Sequence, residues 1–201
     1  MPTPTDLRDR FGADAFNRVV AELKAFGWRP DISVEEIGAP QRIAPYGFAL
    51  EAELGASDEE RGSGRLILLH DPAGNDTWDG QWRLVTLVRA GTDTDIVTDP
   101  LISEVAWSWL IEALGECDAA FTAPAGTVTT VTSRSFGSMS TEADRDEIEI
   151  RASWTPLIAD PSDIIGHLGA WQQLMCQAAG MPPLPDKVTP IRANLSVTGT
   201  R

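Results

Sequence analysis

Hydrophobic residues recur with a helical period in three parts of the chain. Spacings of three and four residues predict a first helix over residues 13–26, which Gly27 ends. The pairs Asp99-Pro100 and Asp160-Pro161 are typical helix starts, because the carboxylate can cap free amides while proline occupies the first helical position. We therefore expect two further helices, one reaching about residue 116 and the other closed by Gly180.

Strand-like patterns fill the stretches between the predicted helices. Residues 46–54 alternate between apolar and polar side chains, which predicts a strand with one buried face. Residues 65–70 are almost continuously apolar, which predicts a strand covered on both faces. Three more strands are predicted over residues 81–89, 126–136 and 146–154, where β-branched residues or alternation dominate.

The order of these elements predicts the fold class. Short polar loops join consecutive strands, which favours antiparallel pairing in one sheet with helices on a face. We expect an α+β protein with a single, mainly antiparallel five-stranded sheet and three helices in the order α-βββ-α-ββ-α. The expected division is a flexible N-terminus over residues 1–12, one domain over 13–180, and a proline-rich extended or disordered tail over 181–201.

Composition narrows the classes of partner. The formal net charge of −14 would repel a nucleic acid backbone, so no nucleic acid partner is expected. No apolar run approaches the roughly 20 residues that span a bilayer, and the N-terminus lacks a secretory signal pattern, so we expect a cytoplasmic protein without a membrane partner. Cys117 and Cys176 are far apart in sequence and are expected to be reduced thiols.

The predicted second helix is apolar on two sides. At 100° per residue its apolar residues form two stripes, one with Ile102, Val105, Trp109 and Ala113 and the other with Trp107, Ile111 and Leu114. A single sheet covers one stripe, so the second predicts contact with a protein partner or with a second copy of the chain. Cover by the first helix, the third helix or the tail is the alternative.

Few residues suggest chemistry. His70 and Asp71 at the end of a predicted strand, together with Arg83, are the candidate ligand-binding residues for a pocket between the sheet and the helices. The loop that follows contains Asn75, Asp76 and Asp79, which could belong to the same site. Turn capping is the alternative explanation of these polar residues. The two histidines and two cysteines lie in four separate elements without metal-ligand spacing, so no metal site is predicted. No phosphate loop or nucleophile motif is present, so no cofactor and no catalytic residue are predicted.

Five segments of the chain together resemble a known family. They are residues 40–46, 64–72, 98–101, 104–110 and 150–156, which read PQRIAPY, GRLILLHDP, TDPL, EVAWSWL and IRASWTP. The family is an uncharacterised actinobacterial one, domain of unknown function number three thousand, and the resemblance covers residues 13–183. It implies no activity, cofactor or catalytic residue.

The predicted order of elements is also similar to that of the secretion-chaperone-like fold. Members of that fold are small, acidic, often homodimeric proteins that bind unfolded or extended segments of a partner, and this resemblance implies the same kind of role. We therefore expect a non-enzymatic protein-binding, adaptor or chaperone-like module. The alternative is a small-molecule sensor or enzyme with a pocket between the sheet and the helices.

Overall fold

The computed structural model describes residues 4–55 and 61–182 of the 201-residue chain. Within these residues the chain forms six strands and four α-helices. The predicted α+β class and the single antiparallel sheet are confirmed, whereas the predicted numbers of five strands and three helices are wrong. The predicted tail lies outside the described residues from residue 183 onwards.

The helices and strands follow one another with short connections. In chain order they are α1 (Pro4–Ala25), β1 (Ile32–Ile37), β2 (Tyr46–Leu54), β3 (Gly62–Asn75), β4 (Gly80–Gly91), α2 (Thr94–Val97), α3 (Ile102–Glu116), β5 (Phe121–Ser133), β6 (Arg145–Pro156) and α4 (Ile164–Ala178). Two short 3₁₀ turns, Gly137–Met139 and Pro161–Asp163, complete the described part of the chain.

The two elements that the sequence pattern did not predict are β1 and α2. In β1, Ile32 is buried and Val34 is half-buried, but Glu36 breaks the apolar alternation. The structure explains this charge, since the Glu36 carboxylate lies 2.7 Å from the Lys24 ammonium on α1. Helix α2 has only four residues, which is too short to show a helical period.

The predicted helix ends agree with the structure better than the predicted helix starts. Helix α1 begins at Pro4, within the segment predicted to be a flexible N-terminus. Helix α3 begins at Ile102 and ends at Glu116. Before its start, the Asp99 carboxylate accepts a 2.8 Å hydrogen bond from the Leu101 amide. Asp160 acts as a cap, as predicted, and forms a capping box with Asp163, but the turn that it caps is the 3₁₀ turn preceding α4.

The six strands form one antiparallel sheet in the order β1-β2-β3-β4-β6-β5. Helices α1 and α4 pack on its central strands, and α3 packs against both α4 and β5. Gly64 allows α4 to approach closely, because a Cβ atom at this position would lie 2.3 Å from Met175 Sδ. These helices cover one face of the sheet, and none of the described helices is long and apolar enough to cross a membrane.

Candidate functional site

The sheet face opposite the helices carries apolar side chains in its centre. Ile67 lies opposite Val85 on the neighbouring strand, and Val85 lies opposite Ser153 on β6. Leu87, two residues from Val85, projects to the same side because side chains alternate along a strand. Ile67, Val85 and Leu87 are all half-buried. We call this surface the open face, since no described helix packs on it.

A concave groove of about 480 Å³ follows the open face between β3 and β5. Its floor contains Ile67, Val85 and Leu87, and its lining includes Arg65 and Arg151 but no carboxylate. Both arginines form ion pairs with carboxylates outside the groove, and of these carboxylates Glu149 is buried. Arg65 Nη2 lies 2.7 Å from a Glu51 oxygen, and Arg151 Nε lies 2.8 Å from a Glu149 oxygen. The groove is therefore apolar at its centre and basic at its rim.

Among the described residues, the open face is covered at one end only. Ala39 and Pro40, in the connection between β1 and β2, lie over Gly47, where a Cβ atom would be 3.4 Å from Ala39 Cβ and 3.8 Å from Pro40 O. Leu69, next to Gly47 in the pairing of β2 and β3, is consequently buried. At the β3–β4 hairpin, the Trp78 carbonyl accepts a hydrogen bond from the Thr155 hydroxyl. Beyond this end the groove is open.

Arg83, a predicted ligand-binding residue, stabilises the sheet. Its guanidinium is buried and donates hydrogen bonds to Ala123 O at 2.9 Å, Thr155 Oγ1 at 3.1 Å and Ser153 Oγ at 2.7 Å. Ala123 has a positive φ of 47° in an irregularity of β5, so Arg83 secures this distorted part of the strand. Burial lowers the pKa of Arg83, and no carboxylate of the described residues forms an ion pair with it.

His70, the second predicted ligand-binding residue, lies on the helix-covered face. It pairs with Trp82 across the strands, and the two rings stack with centroids 3.8 Å apart. His70 Nδ1 lies 3.1 Å from the Gln81 carbonyl oxygen, so Nδ1 carries the proton and donates it. A cavity of about 570 Å³ is lined by His70, Trp82, Gln81 and Arg18. Burial lowers the pKa of His70, against the raising effects of the Gln81 carbonyl and of the Asp71 charge.

The structure does not bring the three predicted ligand-binding residues together. His70 projects towards α1, whereas Arg83 projects from the opposite face of the sheet. The Asp71 carboxylate accepts a 3.0 Å hydrogen bond from the Ala73 amide, which is the geometry of a capped turn. Of the three residues, only His70 lines a cavity.

The three residues predicted to bind a partner differ in exposure. Leu114 is fully buried in the core and has no surface that a partner could contact. Trp107 is half-buried over Gly126 of β5, and Ile111 is half-buried. A partner contact for these two residues stays a prediction.

The predicted stripes of the second helix also differ from those observed. The buried residues of α3 are Ile102, Ala106, Leu110, Ala113 and Leu114, because the helix packs between α4 and β5 and is covered on two sides.

The thiols and histidines do not converge. Cys117 and Cys176 are both free, and burial raises the pKa of each thiol. A raised pKa keeps a thiol protonated and unreactive near neutral pH. Among residues 4–55 and 61–182, no group of three or more histidine, cysteine or acidic side chains is placed to hold a metal ion.

The groove residues Ile67, Val85 and Leu87 were not predicted as a site. One signal for them was present in the sequence, since the apolar run over residues 66–69 predicts a strand covered on both sheet faces. Within residues 4–55 and 61–182, the helices pack on one face only. The mismatch between these two observations marks the open face.

The fold and its surface define a class, the α+β proteins that have a single antiparallel sheet with helices on one face. Within that class, the chain belongs to the family described as Protein of unknown function (DUF3000), whose model matches residues 12–189. The predicted resemblance to a domain of unknown function is thereby confirmed. No curated protein and no solved structure matches the chain.

Proposed function

We propose that this protein is a non-enzymatic, cytoplasmic adaptor or chaperone-like module that holds an extended apolar segment of a partner protein on its open face. The observation that carries the proposal is the apolar centre of that face, formed by Ile67, Val85 and Leu87 on two central strands. Central strands with apolar residues on both sides are typical of sheets that are covered on both sides. A partner segment would provide the second cover.

The shape and charge of the groove support an extended segment. The groove runs across several strands, from Arg65 on β3 to Thr127 on β5. An extended polypeptide segment therefore fits it better than the surface of a globular protein. Arg65 and Glu51 form an exposed ion pair, and such pairs contribute at most about 1 kcal/mol to stability. Arg65 can therefore exchange its glutamate for an acidic group of the segment at little cost.

Site-specific photo-crosslinking in the native cell tests this function. A photoreactive phenylalanine in place of Leu87 is expected to give a discrete adduct with another protein. The same residue in place of Glu112, which is exposed on α3, provides the matched control and is expected to give none. Mass spectrometry of the adduct from position 87 then identifies the partner peptide, which we expect to be apolar.

A substitution on the floor of the groove provides the second part of the test. Val85→Glu is expected to reduce the adduct at position 87 more than about tenfold, because an unpaired carboxylate in an apolar contact costs more than about 1.4 kcal/mol. Val85→Ile keeps the apolar surface and should preserve the adduct. The proposal fails if position 87 crosslinks only to residues 183–201 of the same chain, or if Val85→Glu leaves the adduct unchanged in a folded protein.

A small-molecule sensor is the second candidate function, and the cavity beside His70 favours it. His70 donates through Nδ1, so Nε2 carries a lone pair, and it makes no hydrogen bond to any described residue. Arg18 lines the same cavity and adds a positive charge. This arrangement suits a small aromatic carboxylate with a hydrogen-bond donor.

Titration with a panel of small aromatic carboxylates tests this second function. Binding is expected to shift the ¹H–¹³C NMR signal of the His70 ring and to raise the melting temperature. His70→Gln should abolish both effects, whereas His167→Gln, at the other histidine of the chain, should preserve them. If no compound of the panel changes the His70 signal or the melting temperature, a carboxylate sensor is excluded. The photo-crosslinking result is unaffected by this outcome.

A further inference from the structure

One edge of the sheet is long, uncharged and unpaired among the described residues. Strand β5 runs from Phe121 to Ser133, pairs only with β6, and contains no acidic or basic residue. After the irregularity at residues 122–125, the pairing with β6 continues regularly to Ser133. The residues of this regular part are almost all exposed. Such an edge is a template for another strand unless charges or proline protect it. The proline of β5, Pro124, lies in the irregularity and outside the regular part.

The other edge of the sheet has the charges that the regular part of β5 lacks. Strand β1 is six residues long and carries Glu35 and Glu36. A second copy of β1 would place like charges against these glutamates, which is unfavourable in a chain with a net charge of −14. Of the two edges, only β5 can therefore pair with its own copy without bringing charges together.

We propose that β5 pairs with β5 of a second copy of this chain, in antiparallel orientation about a two-fold axis at Thr129. Thr129 is the middle residue of the regular segment from Ala125 to Ser133, so this register gives the longest two-fold overlap. Residues on the same face then lie opposite each other, with Val131 opposite Thr127 of the second copy. The two sheets become one continuous sheet, and the helix layers lie on the same side of it.

The number of contacts in this arrangement is sufficient for a specific dimer. An antiparallel ladder makes about one hydrogen bond per residue pair, so the nine-residue overlap from 125 to 133 gives about eight interchain hydrogen bonds. Stable protein interfaces typically contain about ten direct hydrogen bonds, so this number is of the usual size. Apolar side chains at the edge add buried area, since Val131 is 41% exposed and Phe136, just beyond the strand, is 81% exposed.

Light scattering coupled to size exclusion tests the pairing with charged variants of Thr129. The wild-type chain is expected to elute as a dimer at high protein concentration. Thr129→Lys and Thr129→Glu each place two like charges opposite each other across the axis, so each variant alone should be monomeric. An equal mixture of the two should regain the dimer, because opposite charges then face each other. Glu35→Lys at the β1 edge is the matched control and should remain dimeric.

A disulfide provides a second test that does not depend on disrupting the interface. In the proposed register Thr129→Cys places two thiols on directly opposed residues, within the Cα separation that a disulfide allows. Oxidation should give a covalent dimer, whereas Glu35→Cys should remain a monomer. A wild-type chain that is monomeric at every concentration, or a dimer that survives in folded Thr129→Lys and Thr129→Glu, would overturn the proposal. These outcomes do not involve Leu87 or Val85 and so leave the proposed function to its own experiment.

Discussion

Lowering the pH from 7 to 4 is expected to reduce the free energy of unfolding by about 3 kcal/mol through one residue, His167. Burial in the core lowers the pKa of His167 from 6.5 to about 4, and the nearby Asp163 charge opposes this effect only in part. In the unfolded chain the imidazole keeps its ordinary pKa. Between the folded and the unfolded pKa of His167, the unfolded state binds the proton more tightly. The contribution of His167 to stability is therefore fully present above about pH 6.5 and decreases as the pH falls towards 4.

The hydrogen bond between Trp154 and His167 explains why the folded protein resists protonation. The indole Nε1–H of Trp154 donates to His167 Nδ1 at 3.1 Å, so the neutral ring carries its proton on Nε2. The Nε2 atom is buried without a hydrogen-bond partner among the described residues. A second proton on Nδ1 would turn the acceptor into a donor facing the indole N–H. It would also place a charge in the core.

NMR titration measures this effect directly, because the chain has only two histidines. The His167 ring should titrate with a midpoint near 4, and His70→Gln assigns the signals by removing the other one. Urea unfolding between pH 6.5 and 4 should show a shallower decrease in stability for His167→Gln than for the wild type. A His167 midpoint above 6 would contradict the expectation.

His70, whose pKa burial also lowers, adds a loss of stability in the same direction, whereas Asp146 contributes little within this pH range. The pKa of Asp146 is lowered to about 2, mainly by the hydrogen bond from Arg134, so its stabilising effect is lost only as the pH falls from about 3.8 to 2. Comparison of His167→Gln with the wild type at each pH removes the contributions of the remaining carboxylates, which the two proteins share.

The strands that the sequence predicts best are those whose alternation is complete. Strand β2 has the predicted bounds, 46 and 54, because its apolar residues occupy every second position facing the helices. Strand β1 does not show this alternation, because Glu36 occupies a position on the helix-covered face. Its charge is compensated by Lys24 of helix α1. The compensating contact is made between distant parts of the chain, so no local pattern predicts it.

The candidate sites depend on the strand register, which the sequence does not specify. His70 and Arg83 both lie at the same end of adjacent strands, and the sequence alone gives no reason to separate them. The pairing of His70 with Trp82 places the two predicted residues on opposite faces, because a shift of one residue exchanges the faces. The same register collects Ile67, Val85 and Leu87 on the open face.

Truncation of Trp171 to alanine is expected to cost about 3 to 5 kcal/mol, the largest loss among the substitutions considered. Trp171 belongs to α4, and its side chain is fully buried between this helix and the sheet. Its ring contacts the ring of Trp28 edge-on, with the centroids 5.5 Å apart. Its indole N–H donates to the Thr86 hydroxyl at 2.8 Å, which in turn donates to the Arg65 carbonyl on β3. The indole therefore connects the helix layer to two central strands through both packing and hydrogen bonds.

Three variants separate the contributions of this side chain, with urea unfolding followed by circular dichroism as the measurement. Trp171→Phe keeps most of the packing but loses the N–H donor, so we expect a loss of about 1 to 3 kcal/mol. Leu101→Ala removes an apolar side chain that is 58% exposed before α3 and should change stability by less than about 0.5 kcal/mol. Because small proteins have a total stability of about 5 to 15 kcal/mol, Trp171→Ala should be partly unfolded on mild heating. Equal stability of Trp171→Ala and Leu101→Ala would show that α4 is not held to the sheet in this way. The separation of a covered face from the open face would then lose its basis.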